Sequence, residues 1–459
     1  MATGLAFAPP AFAGLIGVGR EDITPPVGIY ARNWGAATHD VAEGIHRPLT
    51  VTALTLQCEP DEKPLVLVAA DLGWWRTLED EWYVREGVLK ALDLDPARVM
   101  VNLSHTHSAP AICREDADKP GGHLIAPYLQ TVREAIVTAA QQALAARQPA
   151  VLTWGQGTCR LAQNRDLSDP ERPRLVCGYS PGQPADETLL VGRVTREDGA
   201  ILATLVNYAC HPTTLAWQNR LISPDYIGAM REVVEAQTGS APCLFLLGAC
   251  GELAPIEQYT ADTSLPDAHG RELGYAALST LEGMLPPRTG LEYAGVVESG
   301  APLAIWKRVP AAPATTLGAR RIEVELPLKD LPSVAEIEAQ LQACEDRALA
   351  ERLARKRRVR RSVGEGTTTK MPVWVWRVGD ALLVGNPNEA YSRLQTELRQ
   401  EFPQHAVVVM NVVNGHTGYL PPAEMYDLDL YPVWQSPFDR SSLERTIQAC
   451  KDALHALVD

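Results

Sequence analysis

Paired cysteines are missing from this chain. It has nine cysteines, Cys58, Cys113, Cys159, Cys177, Cys210, Cys243, Cys250, Cys344 and Cys450. The number is odd, the spacing scattered, and no CxxC pair occurs. That argues against a disulfide framework and against a cysteine-type zinc site, and it reads as buried free thiols in a reducing, cytoplasmic setting. Long apolar runs are missing too, since none approaches the ~20 residues that span a bilayer. Positive charge is scarce: 42 Lys and Arg stand against 56 Asp and Glu, a formal net charge of −14. Such a surface repels phosphate backbones and anionic lipid, so neither nucleic acid nor a membrane is an expected partner. Repeats and low-complexity linkers are absent. The opening "MATGLAFAPPAFAG" offers an Ala-Phe-Ala cleavage site but no basic stretch before it, and Pro9-Pro10 interrupts its short apolar run. It reads as a frayed start rather than an export signal.

What is present is an ordinary globular composition, 46% apolar and 21% charged. Strand-like and helix-like stretches alternate for most of the length. Strands are expected over 64–75, 98–104 and 242–252, and helices over 78–94, 128–148, 225–239 and 269–284. Asp198-Gly199 marks the turn of a hairpin over 187–210. Several short strands are expected over 285–332, then one long charged helix over 333–363. Its basic run "RLARKRRVRRS" reads as a solvated face. Two strands, a helix from about Glu389, a strand over 406–414 and a Ser-capped helix over 441–457 complete the chain. The expected fold is α/β, one unit over 1–459, with layered mixed β-sheets flanked by helices and the site at the C-terminal strand ends.

The residues that could carry chemistry share that placement. "VNLSHTHSAP" puts His105 and His107 one residue apart after a strand. In an extended segment, side chains two apart face the same way, so both imidazoles could look into one cavity. They could be metal ligands, an acid/base pair, or polar loop residues. His211 in "NYACHPTTL" repeats the strand-end position. Glu389 in "LLVGNPNEAYSRL" stands at a strand-to-helix junction, where a carboxylate either complements the helix dipole or binds a metal. Tyr419, Tyr426 and Tyr431 share a Gly/Pro-rich loop. Arg165 in "AQNRDLSDP" reads either as a surface arginine or as a binder of an oxyanion or carboxylate. Trp34, Trp74 and Trp75 fall near the same loops, as a pocket wall or as core. Two histidines, a glutamate and one more oxygen ligand suit Zn²⁺ with room for a water.

The set resembles the neutral/alkaline non-lysosomal ceramidase family. "GVGREDITPPVG", "GIHRPLTVTALTL", "SHTHSAP", "QNR", "NYACHPTT", "SPDYIGAM", "NPNEAYSRL" and "GYLPPAEMYDLDLY" follow in the family's order, over about 15–435. The resemblance implies zinc ligation by His105, His211, Glu389 and Tyr419. It implies His107 as the acid/base residue, Arg165 as an anion or carbonyl binder, and Tyr431 beside the site. Four departures stand out. Ala109 replaces a glycine, and Asn388 replaces the glycine before Glu389. "GELAP" carries Ala254 where animal members have a serine, which excludes a serine nucleophile there. Only 28 residues follow Tyr431, too few for the family's C-terminal Ig-like domain.

The expectation is therefore a zinc-dependent hydrolase that cleaves a C–N amide bond in a small soluble substrate by a zinc-activated water. His107 would move the proton, and Arg165 and Tyr431 would stabilise the oxyanion. An ester or lactone substrate, or a non-catalytic zinc-containing binding protein, are the other readings. An acidic enzyme of this size is often a dimer or larger.

Overall fold

The computed structural model describes residues 6–459. The first five residues of the N-terminal stretch lie outside the described residues. From Ala6 onward the expectation of a frayed start is corrected. Ala6–Phe7 pairs with a later hairpin, and Ala11–Asp22 pairs on both sides within the largest sheet. The prolines fall between these two pairing segments, where no ladder donor is needed.

That sheet has eight strands. Edge to edge they are Cys243–Leu247, Ile201–Tyr208, Thr188–Arg196, Gln148–Thr158, Ala11–Asp22, Thr50–Gln57, Leu65–Ala70 and Val99–Leu103. The inner pairs are antiparallel, and the outermost pair at each edge is parallel. A parallel pair needs a crossover. Helix Leu78–Leu92 supplies one and helix Tyr226–Gln237 the other. A second sheet has four strands, Leu317–Pro327, Thr368–Val378, Ala381–Gly385 and Ala406–Met410.

Period-2 alternation sorts the side chains into layers. Along Leu65–Ala70, Val66 and Val68 face the cluster that holds helices Leu78–Leu92, Ile125–Ala145, Tyr226–Gln237 and Ser264–Glu282. Leu65 and Leu67 face the opposite cluster, with Trp374, Trp376, Leu383 and Val408 of the smaller sheet. The far side of that sheet, through Val373, Val375, Leu382 and Val409, packs on Leu394, Leu398, Leu443 and Ile447. The result is helices, large sheet, small sheet, helices, which matches the layered α/β expectation. Gly17 and Gly19 explain how closely one helix lies on the large sheet. A Cβ on either would fall 1.9 Å from the carbonyl oxygen of Ala143 or 2.3 Å from that of Ala139.

Several sequence expectations shift. Two helices begin earlier than the periodicity suggested, at Ile125 and Ser264. Pro127 and Pro266 sit in their first turns, where proline is tolerated. The short strands expected over 285–332 are three long ones, Thr289–Glu298, Pro302–Pro310 and Leu317–Pro327. The single helix over 333–363 is two, Val334–Gln342 and Arg347–Val363. The second starts afresh because the Asp346 side chain accepts from Leu349 N at 2.7 Å. The last helix, Ser442–Val458, has no side-chain cap from Ser441.

Candidate metal centre

The two parallel edges of the large sheet deliver the histidines. His105 follows Val99–Leu103, and His211 follows Ile201–Tyr208. These edges converge: Leu247 N donates to the Asn102 side chain at 3.0 Å, and the Asn102 amide donates to Asn411 O at 2.7 Å. The segments that follow two strands of the smaller sheet, Ala381–Gly385 and Ala406–Met410, add the rest of the site as a separate two-stranded pair. Glu389–Ala390 is a short strand paired in parallel with Tyr419–Leu420, and the register sets Glu389 opposite Tyr419. This corrects the placement of Glu389 at a helix start, because the helix begins only at Arg393. The capping alternative falls with it.

His105, His211 and Glu389 are buried, and their ligand atoms lie within 4.8 Å of one another. The Nδ1 of His211 is 2.6 Å from Cys250 O and 3.2 Å from Leu253 O. The Nδ1 of His105 is 3.2 Å from Gly73 O. A carbonyl only accepts, so each Nδ1 carries the hydrogen and each Nε2 presents a lone pair. Those lone pairs face the Glu389 carboxylate, with Oε2 at 2.9 Å from His211 and 3.3 Å from His105. Burial, then the Arg165 charge, lowers the His211 pKa to about 4. Acceptors therefore face acceptors around one point, and a cation there resolves the conflict. Nδ1–H bound to a backbone carbonyl is also the usual support of a metal-ligating histidine. The residues fit a divalent metal such as zinc.

The other expected residues stand around this centre. Tyr419 is buried, its ring stacked 6.4 Å from that of His211. Its hydroxyl accepts from Arg165 Nη2 at 3.1 Å. Arg165 is buried and also donates to Gly251 O at 2.8 Å, which corrects its reading as a surface residue. Tyr431 packs edge-on against Tyr419, ring centroids 5.8 Å apart. Tyr426 lies elsewhere, bonded to Phe438 O at 3.2 Å.

His107 meets His105 at 4.9 Å between ring centroids. The extended-backbone argument for that meeting is corrected: His105 has a positive φ of 65°. A left-handed residue, rather than strand alternation, turns the two rings toward each other. Neither ring nitrogen of His107 has a protein partner. Burial, then the neighbouring His105 and His211, lower its pKa well below the ordinary value. Trp34 and Trp74 flank its ring at 5.0 and 4.9 Å. Trp75 is core instead, 1% exposed.

Four more side chains line the site that sequence reasoning missed. His416 Nε2 is 2.8 Å from Glu389 Oε1. It sits in "NGHTGY", after a strand end, so the rule that found His211 applied to it too. Trp217 and Tyr259 pack on Trp34 at 6.0 and 5.8 Å. Arg355 reaches in from the basic run, Nη1 to the Tyr431 hydroxyl at 3.1 Å. The solvated-face reading of that run is corrected at this residue.

Fold and site together define a layered α/β protein with a buried His-His-carboxylate centre at its strand ends. The family model described as neutral/alkaline non-lysosomal ceramidase, N-terminal, matches residues 15–243. The chain belongs to that family. In fold it is similar to the neutral ceramidase from Pseudomonas aeruginosa, with a TM-score of 0.68 and 18% identity over 98% of this chain and 75% of that one. A ceramidase complexed with C2 gives a TM-score of 0.67 and 17% identity over 98% of this chain and 76% of that one.

Proposed function

We propose that this protein is a zinc-dependent hydrolase of an amide bond in a small soluble substrate. The observation that carries the reading is the convergence of three ligand atoms, two of them imidazole nitrogens whose partners leave a lone pair free. Membership in a ceramidase family supports an amide as the bond attacked. His105, His211, Glu389 and Tyr419 would hold the ion. A bound zinc ion would supply Lewis-acid polarisation of the carbonyl and lower the pKa of a water to about 7.

The chain's own residues supply the rest. His107, neutral and with both ring nitrogens free, accepts the proton of the attacking water and delivers it to the leaving amine. Arg165, held by Gly251 O and the Tyr419 hydroxyl, keeps positive charge beside the carbonyl oxygen as it becomes anionic. The Tyr431 hydroxyl is a second donor for that oxygen. Trp34, Trp74, Trp217 and Tyr259 wall the approach and exclude bulk water. That crowding supports a compact substrate. The nine cysteines stand as free thiols, which supports a reducing, cytoplasmic setting.

The test is product release, read by mass spectrometry, from matched amide, ester and lactone panels with chelator and with zinc restored. Short- and long-chain N-acyl compounds belong in the panel. Amide cleavage lost to chelator and recovered with zinc is the expected result. Cleavage of esters or lactones alone would change the bond. No turnover in any arm, with zinc bound and not exchanging, would move the reading to a structural metal.

A further inference from the structure

The basic helix Arg347–Val363 uses its arginines in two ways. On one side they meet acidic partners: Arg357 and Glu115 at 3.0 Å, Arg358 and Asp116 at 2.7 Å, Arg361 and Glu338 at 2.7 Å. Arg355 points the other way. Its Nη1 donates to the Tyr431 hydroxyl at 3.1 Å, and its guanidinium lies 5.8 Å from the Trp74 ring centroid. It forms no ion pair among the described residues, although every arginine just named does. Arg165, across Tyr419 and Tyr431, is the same case: its partners are a carbonyl and a hydroxyl.

The charge balance of the site follows. Glu389 is the one carboxylate at the centre, and it already serves His105, His211 and His416. Two guanidiniums face it. Asp166, buried beside Arg165 and accepting from the Tyr391 hydroxyl at 2.9 Å, adds a second carboxylate, so these charges balance before any metal and leave two positive with a divalent ion. Positive charge held away from water without a counter-charge is unfavourable. A neutral substrate leaves that excess standing, and an anionic one offsets it. A guanidinium whose outer donors are free matches a planar carboxylate.

We infer that Arg355 is a specificity residue and that the substrate is an amide bearing a carboxylate, which the Arg355 guanidinium binds. This rests on the amide-hydrolase reading and adds the substrate class to it. A charge-assisted hydrogen bond to a carboxylate contributes about 10- to 100-fold in binding. The basic helix is then the element that turns a ceramidase-like centre toward anionic substrates.

The test uses zinc-loaded full-length protein and two pairs of amides. One pair is an N-acetyl amino acid and its neutral carboxamide. The other is a dicarboxylic acid monoamide and its diamide, which moves the carboxylate to the acyl side. The expected result is a preference of at least ~10-fold in kcat/KM for the acid of one pair, expressed in KM. In R355Q that preference ratio collapses toward unity, and R355K keeps part of it. Equal turnover of acid and neutral amide by the wild type overturns the inference. So does an R355Q variant that slows both members equally. If no amide is cleaved, the amide reading fails, and calorimetry still decides this one. An N-alkyl amino acid, which has no scissile bond, is titrated against its carboxamide. Tighter binding of the acid, lost in R355Q, sustains it; equal or absent binding of the two overturns it.

Discussion

Replacing Asn102 by leucine removes two hydrogen bonds while keeping the branched, four-atom shape of the side chain. Asn102 is fully buried. Its oxygen accepts from Leu247 N at 3.0 Å, and its amide donates to Asn411 O at 2.7 Å. Leucine leaves a buried backbone N–H and a buried carbonyl without partners. Each orphan costs about 1–3 kcal/mol, so the variant should lose about 2–6 kcal/mol. Urea unfolding of metal-free protein, followed by tryptophan fluorescence, reads the difference. The consequence reaches the site, because Asn411 also donates from its side chain to Ala390 O at 3.0 Å, next to Glu389. Asn102 is thus tied to His105 through two residues of chain and to Glu389 through Asn411. Zinc affinity in the leucine variant should drop by about tenfold, the lower end for supporting residues. A loss of stability under ~1 kcal/mol, or unchanged zinc affinity, would refute the view that this asparagine locks the strand ends together.

How far the sequence reached follows from the range of the interactions involved. Strand-helix alternation is local, so most elements were readable, and the missed helix starts trace to Pro127 and Pro266. His105 and His211 were readable because a strand end is a local feature. Glu389 and Tyr419 meet through a two-residue parallel pairing that no periodicity announces, and the family resemblance carried them. Arg165 looked like a surface residue because its burial depends on Gly251 and Tyr419, far along the chain. Arg355 is the clearest case. It sits in a run of arginines at helical spacing, and nothing local distinguishes it from Arg357 or Arg361. Which arginine turns inward is decided by where the helix docks, against a tyrosine 76 residues away.

Three further outcomes are expected. Substituting His107 by alanine should retain zinc and lower kcat by ~10²–10⁴, and a loss under about tenfold would remove its proton-transfer role. His211→Ala and Glu389→Ala should each take bound zinc, measured by elemental analysis, from about one per chain to near none; full occupancy would place the ion elsewhere. The last concerns Glu252, 7% exposed, whose carboxylate accepts from Ser392 N at 3.0 Å. Burial raises its pKa from 4.5 to about 7, against the pull of the Ser392 hydrogen bonds. The folded state then holds this proton more tightly than the unfolded state. Stability is highest below the unfolded pKa, falls as pH rises from about 4.5 to about 7, and is level above that. At ~1.4 kcal/mol per unit, the fall is on the order of 3 kcal/mol. Glu252→Gln keeps an acceptor for Ser392 and removes the titration. Its unfolding free energy minus that of the wild type should therefore grow through this window and flatten above it. Other groups that titrate there, such as Asp225 at about 6, cancel in the difference. A difference independent of pH would show that Glu252 keeps its charge in the fold, and that the loop it anchors beside Arg165 is more open to water than its burial implies.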